Sequence, residues 1–244
     1  VFTSQLASAS VLLDLEQFET IKLTAQDGAA EEFLGYSVDI DDGRALVGAF
    51  REDELHESAG AAYIFDIETG AELVKLLPTS SGEDHLFGSA VALRGDFALV
   101  SSMAPSSGGT GAVHLFDASS GQALRELVPS NGETGVMYGI SIRMTDTHAL
   151  IGAFEDSDPN AVTGAAYLFE LSTGDQVGKF TPSDGHDIDL FGFSVALSEE
   201  RIIIGAPFSD NPIAGPESGA AYLFDRQTGA EITRITPSDA SWGG

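Results

Sequence analysis

Apolar residues in this chain come in runs of four to six, and two kinds of run recur. In Phe191–Leu197, FGFSVAL, apolar and small residues alternate, which is the period of a strand with one covered face. In Arg201–Ala206, RIIIGA, the residues Ile202, Ile203 and Ile204 follow one another unbroken, which suits a strand covered on both faces. The runs are rich in Val, Ile, Phe and Tyr and are bounded by Gly, Asp, Ser and Pro, so a helix assignment fails. The pattern predicts strands throughout, with the second strand of each set lying deepest.

The runs are ordered into phrases. FLGYSV, FGSAV, YGISI, FGFSV and a terminal WGG place glycines at 35, 88, 139, 192 and 243, at spacings of 53, 51, 53 and 51. A second word, SVLLD, AYIFD, VHLFD, AYLFE and AYLFD, closes on Asp14, Asp66, Asp117, Glu170 and Asp225. Between the two words sits LVGAF, LVSSM, LIGAF or IIIGAP, and after the second come a turn and a short amphipathic run such as AELVKL. Each turn holds a glycine (Gly70, Gly121, Gly174, Gly229) where a hairpin residue with φ > 0 is expected. Phe18 stands at the matching place near the N-terminus, so that first unit is atypical.

Each phrase therefore holds four strand candidates. A sheet of four short antiparallel strands cannot bury both faces alone, and about fifty residues per sheet is the period of a propeller blade. The expected fold is an all-β propeller of four-stranded antiparallel blades in one domain, residues 1–244. Its units are approximately 1–23 (partial), 24–77, 78–128, 129–180, 181–235 and 236–244 (partial). About five blades result if the partial ends join into one sheet; a segment of a larger propeller is the other reading.

Charge narrows the partners. The 244 residues carry 38 acidic and 11 basic side chains, a net charge of −27, which repels phosphate backbones and anionic lipids. Nucleic acid is excluded as a partner, and no apolar run approaches the ~20 residues of a membrane helix, so this segment does not insert into a bilayer. Without cysteine there is no disulfide framework, thiolate metal site or cysteine nucleophile. The start VFTSQLASASVLL lacks an initiator Met and a basic leader, and reads as a processed or excised chain.

The ordered words resemble the FG-GAP repeat of the integrin α-subunit propeller and, more closely, bacterial and algal FG-GAP proteins, over nearly the whole chain from Val11 on. In the integrin version the loop between strands one and two often carries Asp-x-Asp-x-Asp-Gly and binds Ca²⁺. The matching loops here are VDIDDGRAL, ALRGDFAL, RMTDTHAL and ALSEERII, and only the first approximates that pattern, with Asp39, Asp41, Asp42 and Gly43. An ordinary β-turn is the competing reading of Asp41-Asp42-Gly43. A second calcium candidate lies in the long loop between strands two and three, where Asp156, Asp158 and Asn160 alternate, although Pro159 stiffens the segment. The cofactor implied by the resemblance is thus Ca²⁺, with Asp39, Asp41, Asp42, Asp156 and Asp158 as candidate ligands.

Other constellations carry less. Asp184, Asp187 and Asp189 precede Phe191 and are expected to pin backbone amides between blades. Arg94-Gly95-Asp96 falls between two strand runs, where a Gly-Asp pair suits a two-residue hairpin. His114 stands where the other units have Tyr63, Tyr167 and Tyr222, so it is a packing substitute first. No nucleophile, base and orienting group converge, and no hydrolase elbow, zinc-protease or phosphate-loop motif occurs, so no catalytic residue is assigned. Aromatic binding candidates are Tyr36, Phe50, Phe154 and Phe208.

The leading functional expectation is a non-enzymatic extracellular or cell-surface module, on the secreted or periplasmic side, that presents propeller loops to a protein or glycan partner and is stabilised by calcium. Two alternatives stand beside it: a structural subunit of a larger filament, coat or complex, and the accessory propeller of a hydrolase or lyase.

Overall fold

A computed structural model describes residues 21–55, 57–79, 85–103, 111–130, 137–156, 162–186, 188–210 and 215–238. Sixteen strands follow in chain order and no helix occurs among these residues. They are β1 (Ser37–Asp41), β2 (Arg44–Ala49), β3 (Ala61–Asp66) and β4 (Glu72–Leu76), then β5 (Phe87–Arg94), β6 (Phe97–Ser102), β7 (Ala112–Asp117) and β8 (Ala123–Leu127). The second half repeats the scheme with β9 (Tyr138–Met144), β10 (His148–Ala153), β11 (Ala165–Glu170) and β12 (Gln176–Phe180), then β13 (Ser194–Leu197), β14 (Arg201–Ala206), β15 (Ala220–Asp225) and β16 (Glu231–Ile235). Each set of four forms its own antiparallel meander, in the order first to fourth strand. These four sheets are the propeller blades that the phrases predict.

The hairpins follow from local chemistry. Asp66 Oδ1 accepts hydrogen bonds from the Thr69 amide and hydroxyl and the Glu68 amide, and Asp117 and Asp225 cap their own turns in the same way. Four glycines one turn later (70, 121, 174, 229) all take φ of +70 to +80°, the conformation that only Gly reaches without strain. The ladder between third and fourth strands then slips by one residue at the same place in every sheet, for example between Ile64 and Phe65. That bulge turns Leu73, Leu124, Val177 and Ile232 outward, which accounts for four exposed apolar residues in runs that read as amphipathic.

Consecutive sheets pack face to face. Leu46, Ile64 and Leu76 of sheet one meet Phe87, Val91 and Leu93 of sheet two. Leu99, Leu115 and Leu127 of sheet two meet Tyr138 and Ile142 of sheet three. Leu150, Leu168 and Phe180 of sheet three meet Phe191 and Val195 of sheet four. The first strands β1, β5, β9 and β13 touch in succession, so they line the inner side of the series. In the first three sheets the third strand is as buried as the second, which corrects the expectation that the second lies deepest: both are flanked by strands on either side and covered on both faces, by neighbouring sheets or, on the outer side of sheet one, by Leu23 and Ala25.

Backbone closeness sets the glycines of the repeated words. A Cβ on Gly48 or Gly152 would lie 2.1 or 2.0 Å from the carbonyl oxygen of Gly88 or Gly192 in the next sheet. The incoming Gly88 and Gly192 both have φ +94° and bring those carbonyls to Ser37 Oγ and Ser141 Oγ. The aromatic–glycine word of each sheet is therefore a plug that enters the sheet before it. Phe87, Tyr138 and Phe191 are all fully buried there.

Candidate functional site at the loop end of the blades

First and third strands start, and second strands finish, at one end of every sheet, which therefore carries the long connections; the tight hairpins lie at the opposite end. Parallel bridges from Gly60 to Phe87 and from Gly164 to Phe191 show that neighbouring blades point the same way. The loop end gathers the polar and aromatic groups described next; a hollow of about 260 Å³ lined by His148, Arg226 and Gln227 lies on the hairpin side.

A repeated polar group lies just beneath it. Register pairs Tyr63 with Lys75, Tyr167 with Lys179 and Tyr222 with Arg234 on the third and fourth strands, and each cation sits over its tyrosine ring. Tyr63 donates to Asp27 Oδ1 (3.1 Å), Tyr167 to Asp156 and Tyr222 to Asp184 Oδ1 (2.9 Å). Lys179 holds Asp156 at 3.1 Å, and Arg234 holds Asp184 at 2.9 Å and donates to Ser209 Oγ and the Asp210 carbonyl. Burial, together with these carboxylates, pushes the Tyr167 and Tyr222 phenols up to about 12. Each group ties a third strand to a segment at this end, the chain entering the sheet for Asp27 and Asp184 and the connection between second and third strands for Asp156.

In sheet one the same position gathers three carboxylates around one cation. Lys75 Nζ bonds Asp27, Glu52 Oε1 (2.8 Å) and Glu54, so its three donors are filled. Burial opposes a charge on Lys75, but the three carboxylates outweigh it and raise its pKa; burial likewise opposes ionisation of Asp27, and Lys75 and Tyr63 lower its pKa on balance. Asp27, Glu52 and Glu54 lie close enough together to hold a metal ion, and Lys75 stands among them as the chain's own counter-ion. Glu52 Oε2 is buried with no partner.

Sheet two departs from this scheme. His114 and Glu126 occupy the tyrosine and cation positions. His114 is buried between Thr79 Oγ1 (3.4 Å) and Ser102 Oγ (3.3 Å), edge-on to Phe87 at 5.4 Å. Burial, with a minor contribution from His85, pulls its pKa down to about 4.

Above the polar groups, aromatic residues reach solvent. Phe33 and Tyr36, 51% and 58% exposed, pack on Phe50 with ring centroids 5.3 and 4.3 Å apart. The Arg51 guanidinium lies over both Phe33 and Phe50. Phe33 holds φ +57°, an uncommon conformation for a bulky residue. On sheets three and four, Phe154 packs on exposed Phe193 at 5.7 Å, and Phe208 and Ile188 border a hollow of about 250 Å³ with Asp189, Asp210, Pro216 and Glu217. Tyr36, Phe50, Phe154 and Phe208 came from the sequence; Phe33, Phe193 and Ile188 did not, because nothing in their spacing separates an exposed aromatic from a plug.

The candidate calcium ligands are distributed otherwise. Asp39 and Asp41 lie on β1 at the hairpin end and bind the next sheet: Asp39 Oδ2 accepts the Leu93 amide at 2.8 Å, and Asp41 Oδ2 the Gly95 amide at 2.7 Å. Asp42 and Gly43, with φ of +44 and +75°, form the two-residue turn, the sign pattern of a type I′ hairpin. Asp156 belongs to the opposite end, with Tyr167 and Lys179, and Asp158 lies outside the described residues. The five are thus not one cluster, and a two-residue turn whose neighbours are ladder-paired does not offer the six to eight oxygens of a calcium cage. Arg94 of the Arg-Gly-Asp sequence is exposed but paired with Asp146 (2.7 Å) and Asp41 (3.4 Å). Of the pre-plug acids, Asp184 accepts from the Tyr222 hydroxyl and the Arg234 guanidinium of sheet four, so side chains and not backbone amides are its partners; Asp189 accepts the His186 amide (2.9 Å), and Asp187 lies outside the described residues.

Comparison with protein families matches the FG-GAP repeat at residues 18–65, 123–169 and 175–224. Each match ends in a third strand, so the family's unit is the fourth strand of one sheet joined to three of the next. The stretch between the first two matches contains Ser101-Ser102-Met103 where the other units read Gly-Ala-Phe or Gly-Ala-Pro, and His114 in place of tyrosine. No curated protein matches the chain. With three matched stretches that together cover more than half of its residues, and four blades built as those words require, this chain belongs to the FG-GAP repeat family.

Proposed function

We propose that this propeller is a non-enzymatic extracellular or cell-surface binding module that takes a protein partner on the loop end of its blades. FG-GAP repeats suggest a propeller-type interaction module, and the exposed group Phe33, Tyr36, Phe50 and Arg51 is the observation that carries the finer reading. Aromatic and arginine side chains supply most binding energy at protein interfaces when they become desolvated. The charge of −27 favours a partner whose apolar contacts are set among Lys and Arg, and steers it on approach. The titratable groups with raised or lowered pKa at this end are consumed in Tyr–cation–carboxylate groups or in packing, which supports binding over catalysis.

The test is binding of labelled protein to the surface of cells of its source, with Phe33→Ser/Tyr36→Ser as the comparison. The double variant is expected to lose at least tenfold in affinity at unchanged melting temperature, and wild-type binding to weaken with added salt. Undiminished binding by the variant would contradict the assignment, and inhibition by neutral sugars would move it to a glycan.

A further inference from the structure

The contact between sheets three and four has a gap where the other contacts are filled. The glycine of each third-to-fourth hairpin stands against a side chain of the segment that precedes its sheet. A Cβ would lie 2.6 Å from Ile21 at Gly70, 2.4 Å from Val74 at Gly121 and 2.6 Å from Arg125 at Gly174, whereas at Gly229 of sheet four it would meet nothing within 4 Å. The cause is the sequence of β12. Register pairs Val74 with Ile64 and Arg125 with Leu115, and at the same place it pairs Gly178 with Leu168, so the side chain that would reach Gly229 is missing. The Phe180 ring fills the space nearest Gly178, 3.1 Å from where its Cβ would stand. Beyond it remains a hollow of about 260 Å³ lined by His148, Leu168, Val177, Arg226 and Gln227. At about 30 Å³ per water, it has room for a ligand of a few non-hydrogen atoms.

A second departure from the repeat falls at the same contact. The residue after each third strand is Ile67, Ala118 or Leu171 in the first three sheets, its amide bonded to Gly43, Asp96 or Thr147; in sheet four it is Arg226, bonded likewise to Glu200. The Arg226 side chain is only 14% exposed. Its Nε donates to the Glu199 carbonyl (2.6 Å), one terminal nitrogen to Glu199 Oε2 (3.2 Å) and the other to His148 Nδ1 (2.8 Å). Arginine cannot accept, so Nδ1 is the acceptor and the neutral ring carries its proton on Nε2; Thr147 Oγ1 lies 2.7 Å from the same Nδ1. Burial, and after it Arg226, lower the His148 pKa, in keeping with that state. Two of the five guanidinium N–H donors and the His148 Nε2–H have no partner among the described residues. A largely buried cation with unmatched donors is costly until an acceptor meets them.

We propose that this hollow binds a small carboxylate carried on a short aliphatic chain. Its lining sets the donors of Arg226, His148 and Gln227 beside the aliphatic Leu168 and Val177, and contains no carboxylate. Guanidinium–carboxylate pairs are among the stronger hydrogen-bonded contacts. Glu199, 64% exposed, pairs with Arg226 from outside the lining, and Glu170 lies opposite His148 in the ladder. Both oppose an incoming anion and hold the expected Kd to the order of 1 mM. The hollow is at the hairpin end, away from the proposed partner surface, so its failure would leave the proposed binding function untouched.

NMR of the whole chain at neutral pH, titrated with isobutyrate, tests it. Isobutanol supplies the chain without the charge, and inorganic phosphate the charge without the chain. Isobutyrate is expected to move the His148 Hε1 and the Leu168 and Val177 methyl resonances to saturation, and isobutanol and phosphate to bind at least tenfold more weakly. Arg226→Leu, which installs the residue type that sheet three has there, is expected to weaken isobutyrate at least tenfold. Gly178→Val, which installs the side chain of sheet one, is expected to fill the hollow and do the same; the far-UV spectrum of each variant verifies that it folds. No saturable shift with isobutyrate, phosphate or isobutanol binding as tightly, or wild-type affinity in either folded variant would each overturn the proposal.

Discussion

His114 puts an ionisable ring where its sister sheets bury a tyrosine, and the consequence is a pH dependence with a definite sign. Folded, the ring stays neutral down to about pH 4; unfolded, it takes a proton near its ordinary value of 6.5. Between those values the unfolded chain binds the extra proton, so stability falls as the medium is acidified, by about 3 kcal/mol over the whole window. His148 is shifted in the same direction by burial and by Arg226. Thermal unfolding from pH 6.5 to 4.5 is expected to show this slope in wild type and a much flatter one in His114→Gln. Lys75 is the second test at this scale. Lys75→Met leaves buried Glu52 facing Asp27 and Glu54 without a cation, an expected loss of about 3 kcal/mol that Glu52→Gln partly restores. Arg201→Met, which breaks a half-exposed pair with Asp225, is expected to cost under about 1 kcal/mol in the same denaturant titration.

At the scale of the element, sixteen strands and their turn glycines were legible because two signals coincided: short β-branched runs, and words repeated at a fixed period. The one-residue slip before the fourth strand was not legible, since a bulge changes which face a residue takes without changing the alternation. Leu73 and Val177 therefore read as half-buried and stand in water. The site was half legible for a similar reason. Asp39 and Asp41 have the spacing of metal ligands, yet the donors they meet are amides of Leu93 and Gly95 more than fifty residues away, and only the contact between sheets reveals that. The Tyr–cation groups went unseen because their members come from three separate segments. The plug-and-socket contact makes its own prediction. Gly152→Ala drives a methyl into the Gly192 carbonyl and is expected to cost on the order of 3 kcal/mol, whereas Gly205→Ala meets only a rotatable Ser194 hydroxyl and is expected to cost within about 1 kcal/mol. Urea unfolding of dilute protein checks the pair, and equal costs would mean that the next sheet's carbonyl is not what the glycine admits.

For the whole molecule, calcium is a question for melting, since Asp156, Asp184 and Asp27 already hold Lys, Arg or Tyr donors of the chain's own. Melting with calcium and with chelator is expected to give one midpoint. A tight site occupied at a hundred times its Kd would add about 2.7 kcal/mol, and a shift of that size would place a cage elsewhere in the chain. Stability is expected instead to be shared between intrinsic sheet terms and the contacts between neighbours, as in other repeat proteins. Each internal contact buries apolar side chains from both sides, and truncating one plug aromatic, for instance Phe87→Ala, is expected to cost about 3–5 kcal/mol. Separated from its neighbours, one blade would expose both faces at once. Circular dichroism of the isolated segment 78–130, which contains sheet two, tests this most directly. The account predicts a disordered spectrum with no cooperative melt while the full chain unfolds cooperatively; a folded β spectrum with its own sharp transition in the lone segment would contradict it.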